Sequence, residues 1–510
     1  MNQVEEKFDV AIVGLGPVGS LLALFLNKAG LSVMGIDRDR DIFPLPRAVT
    51  INDEGLRIIQ KIGLEDVYLE NSTVIDGAEF INSEHERIGE ALEAKDLITK
   101  NAWNPIRFFH QPIIDKKIRK RLMDSGNKIF LEENLINIEQ KEENILIKTQ
   151  NVKTNEKSYF TSKFLVGADG GSSTVRKLLS VEREDLDYNR EWVVVDVKLK
   201  EQVKMSNMAA QICDPKRLAT YIPGHFPYKR WEFLILDDED RNEMEKKETI
   251  HELLDPWLKP DQYTIIRSAI YQFHSVLAKN FRINNCFLIG DAAHQTPPFM
   301  GEGMMTGYRD VANLTWKIAL ALKEKDSTHT LLNSYQIERK PHARFILENS
   351  AAIGKLMEAY ANTKNPEDVP LELVKTGYGS FVIPPLNKGI FYSGVAIPSM
   401  KAGTIFPQPT LINEDEIVER KDYLFGDGFA IVSNQKVLLT REEENFYKRL
   451  NTKMVVLDQK LINQNKSLIE YMAISDIFVL RPDRYIFGAT SDNVSFQDIT
   501  NDLRKRLGIE

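Results

Sequence analysis

The stretch Phe8-Asp9-Val10-Ala11-Ile12-Val13-Gly14-Leu15-Gly16-Pro17-Val18-Gly19 decides how this chain folds. Phe8 to Val13 is a short apolar run that suits a strand buried on both faces. Gly14, Gly16 and Gly19 then form a GxGxxG turn, and Ser20 to Lys28 has helical composition. Leu31 to Ile36 reads as the next strand, completing a βαβ unit of about 30 residues. Glycines there permit the tight turn, let a pyrophosphate approach the backbone and let helix pack closely on strand. The helix, opened by Pro17 and Val18, offers free N–H groups and a positive dipole end to phosphates. Asp37 closes the second strand, where a carboxylate accepts hydrogen bonds from a ribose, and Arg38 follows it. The pattern predicts a dinucleotide site and does not by itself separate NAD from FAD.

Outward from that unit, 510 residues are too many for one core; at about 150 residues per domain, roughly three are expected. Hydrophobic residues make up 43% and charged residues 27%, the mix of a soluble globular protein. The net charge of −8 gives no global attraction for nucleic acid or anionic membrane. Cys213 and Cys286 are the only cysteines, which excludes a disulfide framework and a CxxC redox pair. The eight histidines show no metal-ligand spacing, so no metal is expected. Met1 to Lys7 lacks the basic region of a secretory signal, and glycines break the longest uncharged run. The expectation is a cytoplasmic protein without membrane insertion.

From Glu191 the texture becomes β-rich, with Trp192 to Leu199, Arg217 to Ile222, Arg230 to Leu236 and Thr264 to Phe273 separated by turn residues. After Asp291 it becomes helical to about Thr376, and a Pro- and Gly-rich stretch follows. The expected division is 1–70, 99–185 and 276–376 for the nucleotide-binding domain, and 71–98 with 186–275 for an inserted antiparallel sheet. A linker at 377–410 leads to a small α/β domain at 411–510.

Two further segments narrow the cofactor. Phe164 to Val166 is an apolar strand running into Gly167-Ala168-Asp169-Gly170, and Phe287 to Ile289 is another running into Gly290-Asp291. With GxGxxG, an Asp-Gly motif and a Gly-Asp motif in order, the sequence resembles the single-component FAD-dependent aromatic hydroxylases. It is most similar to their 3-(3-hydroxyphenyl)propionate hydroxylase branch. The likeness shows in Arg47 to Glu54, in Arg230-Trp231-Glu232-Phe233, in Tyr271-Gln272-Phe273-His274, and from Gly290 to Lys317. The resemblance implies an α/β fold: a Rossmann-like FAD domain of the glutathione-reductase type, an inserted antiparallel-sheet substrate domain and a thioredoxin-like C-terminal domain. A homodimer fits the same pattern.

The resemblance also implies roles. Asp291 would accept hydrogen bonds from the ribityl hydroxyls, Asp169 would sit near the pyrophosphate and the reductant, and Arg47 and Gln111 would touch the cofactor. The loop through Pro298, Gly301, Gly303, Met304 and Met305 would bring backbone N–H groups and a helix N-terminus to the flavin. Taken singly, Asp169 or Asp291 could equally be a helix N-cap. The implied activity is hydroxylation of a phenolic aromatic by NAD(P)H and O2 through a flavin C4a-hydroperoxide, in a cavity that excludes water. Tyr221, His225 and Trp231 are candidate substrate-lining residues. Asp53 is a candidate to orient or deprotonate the phenol, with capping of the helix from Glu54 as its plainer role. Arg38 and Arg40 could meet the 2′-phosphate of NADPH, or form a solvated turn.

Departures from the pattern bear on the substrate. Glu302 stands where the family usually has Gln, Tyr308 replaces a smaller residue, and Gln295 and Thr296 replace apolar ones. A larger natural-product aromatic therefore stays open, as does a catalytically silent FAD-binding protein. The basic run Lys116 to Arg121 reads as a solvated helix face.

Overall fold

The computed structural model describes residues 6–324, 328–377, 382–392, 402–412 and 418–509. β1 (Lys7–Val13) lies between β2 (Val33–Asp37) and the strand Lys157–Gly167, parallel to both. The strands Lys128–Leu131 and Cys286–Leu288 extend this sheet in parallel on either side, and Arg282–Ile283 ends it. Val10, Ala11 and Ile12 are fully buried, as expected of a central strand in a sheet covered on both faces. α1 (Pro17–Lys28) lays Leu21, Leu22 and Leu26 on one side. The long helices Gly303–Lys323 and Thr328–Asn362 complete this body.

A second sheet of eight strands stands beside the first. Its centre is antiparallel, in the order Tyr263–Ala278, Arg183–Leu199, Tyr228–Leu234, Arg217–Ile222 and Met208–Asp214. Gly77–Ile81 joins the edge in parallel with Met208–Asp214, followed by Leu92–Glu93. Strand alternation splits its residues between two faces. Val193, Val195, Val197, Trp231 and Phe233 pack outward beneath the helix Lys247–Leu254 and Trp257. The other face turns toward the first sheet. Between the two bodies, β3 (Thr50–Asn52) and Ser72–Val74 pair with Ile106–Phe109.

The last unit holds four strands in the order Lys453–Val456, Ala430–Ser433, Ile477–Leu480, Ile486–Ala489, the first pair parallel and the others antiparallel. Residues 378–381 and 393–401 of the expected linker lie outside the described residues. Its described parts are packed. Tyr392 N donates to Phe487 O at 2.9 Å, Gly403 N to Ile486 O at 3.0 Å, and Phe406 is fully buried. Ion pairs weld this unit to the rest. Asp422 takes Arg57 at 2.6 Å and Arg484 at 2.9 Å, and Arg481 meets Glu338 at 2.9 Å.

Candidate functional site

One cavity of about 620 Å³ runs from the first glycine turn to the inner face of the second sheet. At its first end, Gly14 has φ +91, and a Cβ there would sit 2.5 Å from Ala168 O. A Cβ on Gly19 would fall 1.9 Å from Gly14 O, so Gly19 sets the contact of α1 with the turn and lies behind the cavity wall. Gly16 is different. A Cβ on it would meet nothing within 4 Å, because that space belongs to the cavity. No side chain among the described residues caps α1, so its first N–H groups stay available beside Pro17 and Val18. Asp37 braces the turn, its Oδ2 accepting from Leu15 N at 2.8 Å. Arg38 lines the same end but is exposed, with Asp39 at 3.7 Å.

Along the side, Gln111, Asp115 and Arg119 share one face of the helix Gln111–Met123. Gln111 Oε1 accepts from the backbone N–H of Arg47 and Ala48 at 2.8 and 2.7 Å, holding that segment against the cavity. Its Nε2 donates to Asp115 at 3.0 Å, and burial pushes the Asp115 carboxyl up to about 7. The Arg47 guanidinium lies over the Phe43 ring at 4.1 Å. Arg119 Nη2 donates to Leu15 O at 2.8 Å, while its buried Nε and Nη1 have no partner among the described residues. The basic run is thus not wholly a solvated face: Arg119 is turned inward because it follows Gln111 and Asp115 at intervals of four.

The two acidic motifs differ. Asp169 lines the cavity, but its carboxylate accepts from Ser173 Oγ at 2.5 Å and from Thr174 and Val175 N–H at 2.7 and 3.1 Å. The N-cap of the helix Thr174–Leu178 is Ser173, whose Oγ accepts from Arg176 N at 3.0 Å, and Asp169 reinforces that helix start from four residues upstream. Asp291 opens into the cavity, whose walls raise its carboxyl through desolvation. Asp310 holds the Gly-Asp turn from behind, accepting from Gly290 N at 3.1 Å, His294 Nε2 at 2.8 Å and Arg339 Nε at 2.8 Å.

The floor is the turn Pro298–Met300, then Gly301 and the start of the helix at Gly303. Gly301 has φ +65, and Thr50 Oγ1 donates to its carbonyl at 2.9 Å. No side chain among the described residues caps the helix at Gly303, whose first residues line the cavity with their N–H groups. Met304 lines the cavity, whereas Met305 packs behind it on Gly55. Of the departures, Glu302 and Thr296 line the cavity. Tyr308 lies away from it, hydrogen-bonded to Tyr68 at 2.7 Å, and Gln295 binds Arg183 at 3.0 Å.

Asp53 lines the cavity beside the floor, its Oδ2 accepting from Thr99 Oγ1 at 2.5 Å and Asn101 Nδ2 at 2.8 Å; burial raises its carboxyl. It does not cap the helix. Asn52 does, its Oδ1 accepting from Gly55 N at 2.8 Å.

The ceiling departs from expectation. Gln211, Thr220, Ile222, Arg230 and Glu232 face the cavity. Tyr221 and Trp231 alternate to the opposite face, where their rings lie 5.1 Å apart. His225 sits off the cavity in a loop, its Nδ1 2.7 Å from Thr73 Oγ1. The outer helices need an apolar partner, so the aromatic residues of these strands go to them.

The comparisons agree with this architecture. Residues 7–350 match the family model described as FAD binding domain, and residues 403–506 match that of the HcaD C-terminal domain. The chain is 27% identical to the 3-(3-hydroxy-phenyl)propionate/3-hydroxycinnamic acid hydroxylase 2 of Burkholderia vietnamiensis (strain G4 / LMG 22486), over 98% of this chain and 96% of that one. It is 25% identical to the "Probable NADH-specific resorcinol 4-hydroxylase" of Rhodococcus jostii (strain RHA1), over 97% and 94%. Among solved structures, the flavin-dependent monooxygenase PieE superposes with TM-score 0.80 at 16% identity, covering 99% of both chains. Aklavinone-11 hydroxylase does so with TM-score 0.80 at 19% identity, covering 100% of both. No helix among the described residues is long and apolar enough to cross a membrane. The match from residue 7 to residue 350 spans more than half of the sequence, and by it the chain belongs to the FAD binding domain family, a flavoprotein with FAD as its cofactor.

Proposed function

We propose that this protein is a monooxygenase that uses a nicotinamide coenzyme and O2 to hydroxylate a small phenolic aromatic. The carrying observation is the single cavity joining a glycine turn at one end to an uncapped helix N-terminus and a polar sheet face at the other. The residues suit FAD: an open cradle at Gly16, buried nitrogens on Arg119 that have no partner among the described residues, and Asp291 open to accept from hydroxyls. Gly14, Pro17, Val18, Asp37, Arg47 and Gln111 would hold it with them, and Pro298, Gly301, Gly303 and Met304 would lie under its ring. When bound, FAD supplies hydride acceptance from the coenzyme and activation of O2.

The chain does the rest. The Gly303 helix end favours negative charge at the floor. Arg230, Asp196 and Arg267 close the ceiling with buried ion pairs at 2.8 and 2.6 Å, which keeps bulk water from the reacting ring. We assign Asp53, a part-buried carboxyl at the cavity that accepts from Thr99 and Asn101, to orienting a substrate hydroxyl. The C-terminal unit we read as thioredoxin-like, a reading its strand order supports; no cysteine follows Cys286, so it serves as a brace without dithiol chemistry. A cytoplasmic location goes with this reading.

The test is direct. The purified protein should be yellow, and resorcinol or 3-(3-hydroxyphenyl)propionate should stimulate NADH or NADPH oxidation, with one 18O atom from 18O2 in the product. Bound flavin with no product from any phenol would favour the silent FAD-binding reading.

A further inference from the structure

Glu232 is only 2% exposed, and its carboxyl borders the cavity. The ion pairs around it are already closed. Arg230 gives Nε and Nη2 to Asp196 at 2.8 and 3.3 Å, Nη2 to Pro46 O at 2.7 Å and Nη1 to Arg47 O at 2.9 Å. Asp196 also takes Arg267 at 2.6 Å. That leaves Glu232 with Arg230 Nη1 at 3.7 Å and no hydrogen bond among the described residues. Such a buried carboxyl is costly without a partner. Its neighbours across the sheet are in register, Glu232 opposite Thr220 and Thr220 opposite Gln211, so one polar row crosses three strands on the cavity face. Thr220 Oγ1 donates to Gln211 Oε1 at 2.7 Å, so the hydroxyl proton opposite Glu232 goes along the row and not to the Glu232 carboxyl. Asp53, the other carboxyl near the substrate space, already accepts two hydrogen bonds.

Resting on the monooxygenase reading, we propose that Glu232 is the residue that receives the phenolic proton of the substrate and so selects aromatics bearing a free hydroxyl. The substrate O–H bond breaks, the proton goes to a Glu232 carboxylate oxygen, and the electron pair stays on the phenolic oxygen. There it raises the nucleophilicity of the ring. The proton leaves for solvent after the product forms. Burial outweighs Arg230 and Arg267 and pushes the carboxyl up to about 7, close to the value a base working near neutrality needs. Arg230 on its own strand, Asp196 and Tyr188 on Arg183–Leu199, and Arg267 on Tyr263–Ala278 are the charged and titratable groups facing it. Asp53, Arg47, Asp291 and Glu302 border the same space.

The experiment compares the FAD-loaded wild type with E232Q and D53N, flavin absorbance reporting an intact fold. The probes are resorcinol with 1,3-dimethoxybenzene, and 3-(3-hydroxyphenyl)propionate with its methyl ether. The wild type should hydroxylate a phenol at least 100-fold better than its ether, with kcat falling below about pH 7. E232Q should lose about 100-fold in kcat, lose that acid limb, and discriminate phenol from ether by less than tenfold. E232D should recover part of the loss. A flavin-loaded E232Q within threefold of wild-type kcat, or one that keeps the acid limb, overturns the proposal and leaves the monooxygenase reading standing. A flavin-loaded wild type indifferent to all four probes overturns both.

Discussion

Arg309 binds Glu302 and Glu54 at once, its Nη1 2.7 Å from Glu302 Oε2 and its Nε 2.6 Å from Glu54 Oε2. Glu302 also accepts from Asn52 Nδ2 at 2.8 Å, and Tyr485 Oη reaches Glu54 Oε1 at 3.4 Å. The floor of the cavity is thereby tied to the C-terminal unit through buried groups, and a Glu in place of the usual Gln has its counter-charge. R309M would strand two buried carboxylates and should cost about 3–5 kcal/mol. E302Q keeps Arg309 paired to Glu54 and should cost about 1–2 kcal/mol. Urea midpoints with flavin retention measure both; equal losses would refute the pairing.

The glycines separate two kinds of constraint. G19A drives a Cβ into Gly14 O, so it should damage the fold of the apoprotein and abolish flavin binding together. G16A meets open space at a backbone φ of −66, so the apoprotein should melt within about 1 kcal/mol of wild type. Its FAD affinity should nevertheless fall at least tenfold, because the methyl group occupies space the pyrophosphate needs. Calorimetry of the apoprotein and FAD titration give the two readouts. A G16A protein with normal FAD affinity would remove the cofactor from that turn.

Arg119 makes a related prediction. Arg119 lines the cavity at the glycine turn with two nitrogens that have no partner among the described residues, and a hydrogen bond from a charged donor contributes about 1.5–3 kcal/mol. R119M should therefore weaken FAD binding about 10- to 100-fold. Fluorescence quenching on reconstitution of the stripped protein reads this directly, and unchanged affinity would return Arg119 to a purely structural role.

What was legible in the sequence was what local backbone geometry dictates. Gly14 needs a positive φ and Gly19 a close contact wherever this turn occurs, so three motifs were enough to assign the fold and FAD. The walls of the cavity were harder, because a strand's alternation is visible while the face that points inward is not. In Arg230-Trp231-Glu232-Phe233 the need for a dry cavity points to Trp231 as a lining residue. The helix Lys247–Leu254 and Trp257, distant in sequence, claim Trp231 and Phe233 instead and turn Arg230 and Glu232 inward. The plainer role of both Asp53 and Asp169, that of N-cap, falls to a neighbouring residue, Asn52 and Ser173, because a cap is fixed by where its helix starts to within one residue. Gln111, Asp115 and Arg119 carried a usable signal, a spacing of four along one helix, hidden by the charges around Arg119.

The junction of the C-terminal unit should respond to acid. Burial alone would raise the Glu338 carboxyl, but Arg481 and Lys317 outweigh it and hold it down from 4.5 to about 2. A carboxyl with a depressed folded-state pKa stabilises the protein above its unfolded value and loses that contribution as the pH falls toward the folded one. Here the window is about pH 4.5 to 2, and the contribution is on the order of 3 kcal/mol. Trp316 reports the site, because its Nε1 donates to Asp483 at 3.1 Å and Arg481 lies 5.2 Å from its ring. Wild-type tryptophan fluorescence should therefore change steeply through that window. E338Q should begin less stable at neutral pH, with Arg481 and Lys317 left short of a counter-charge, and should then show a shallower acid transition. Superimposable acid curves for the two proteins would mean that Glu338 does not hold the unit in place.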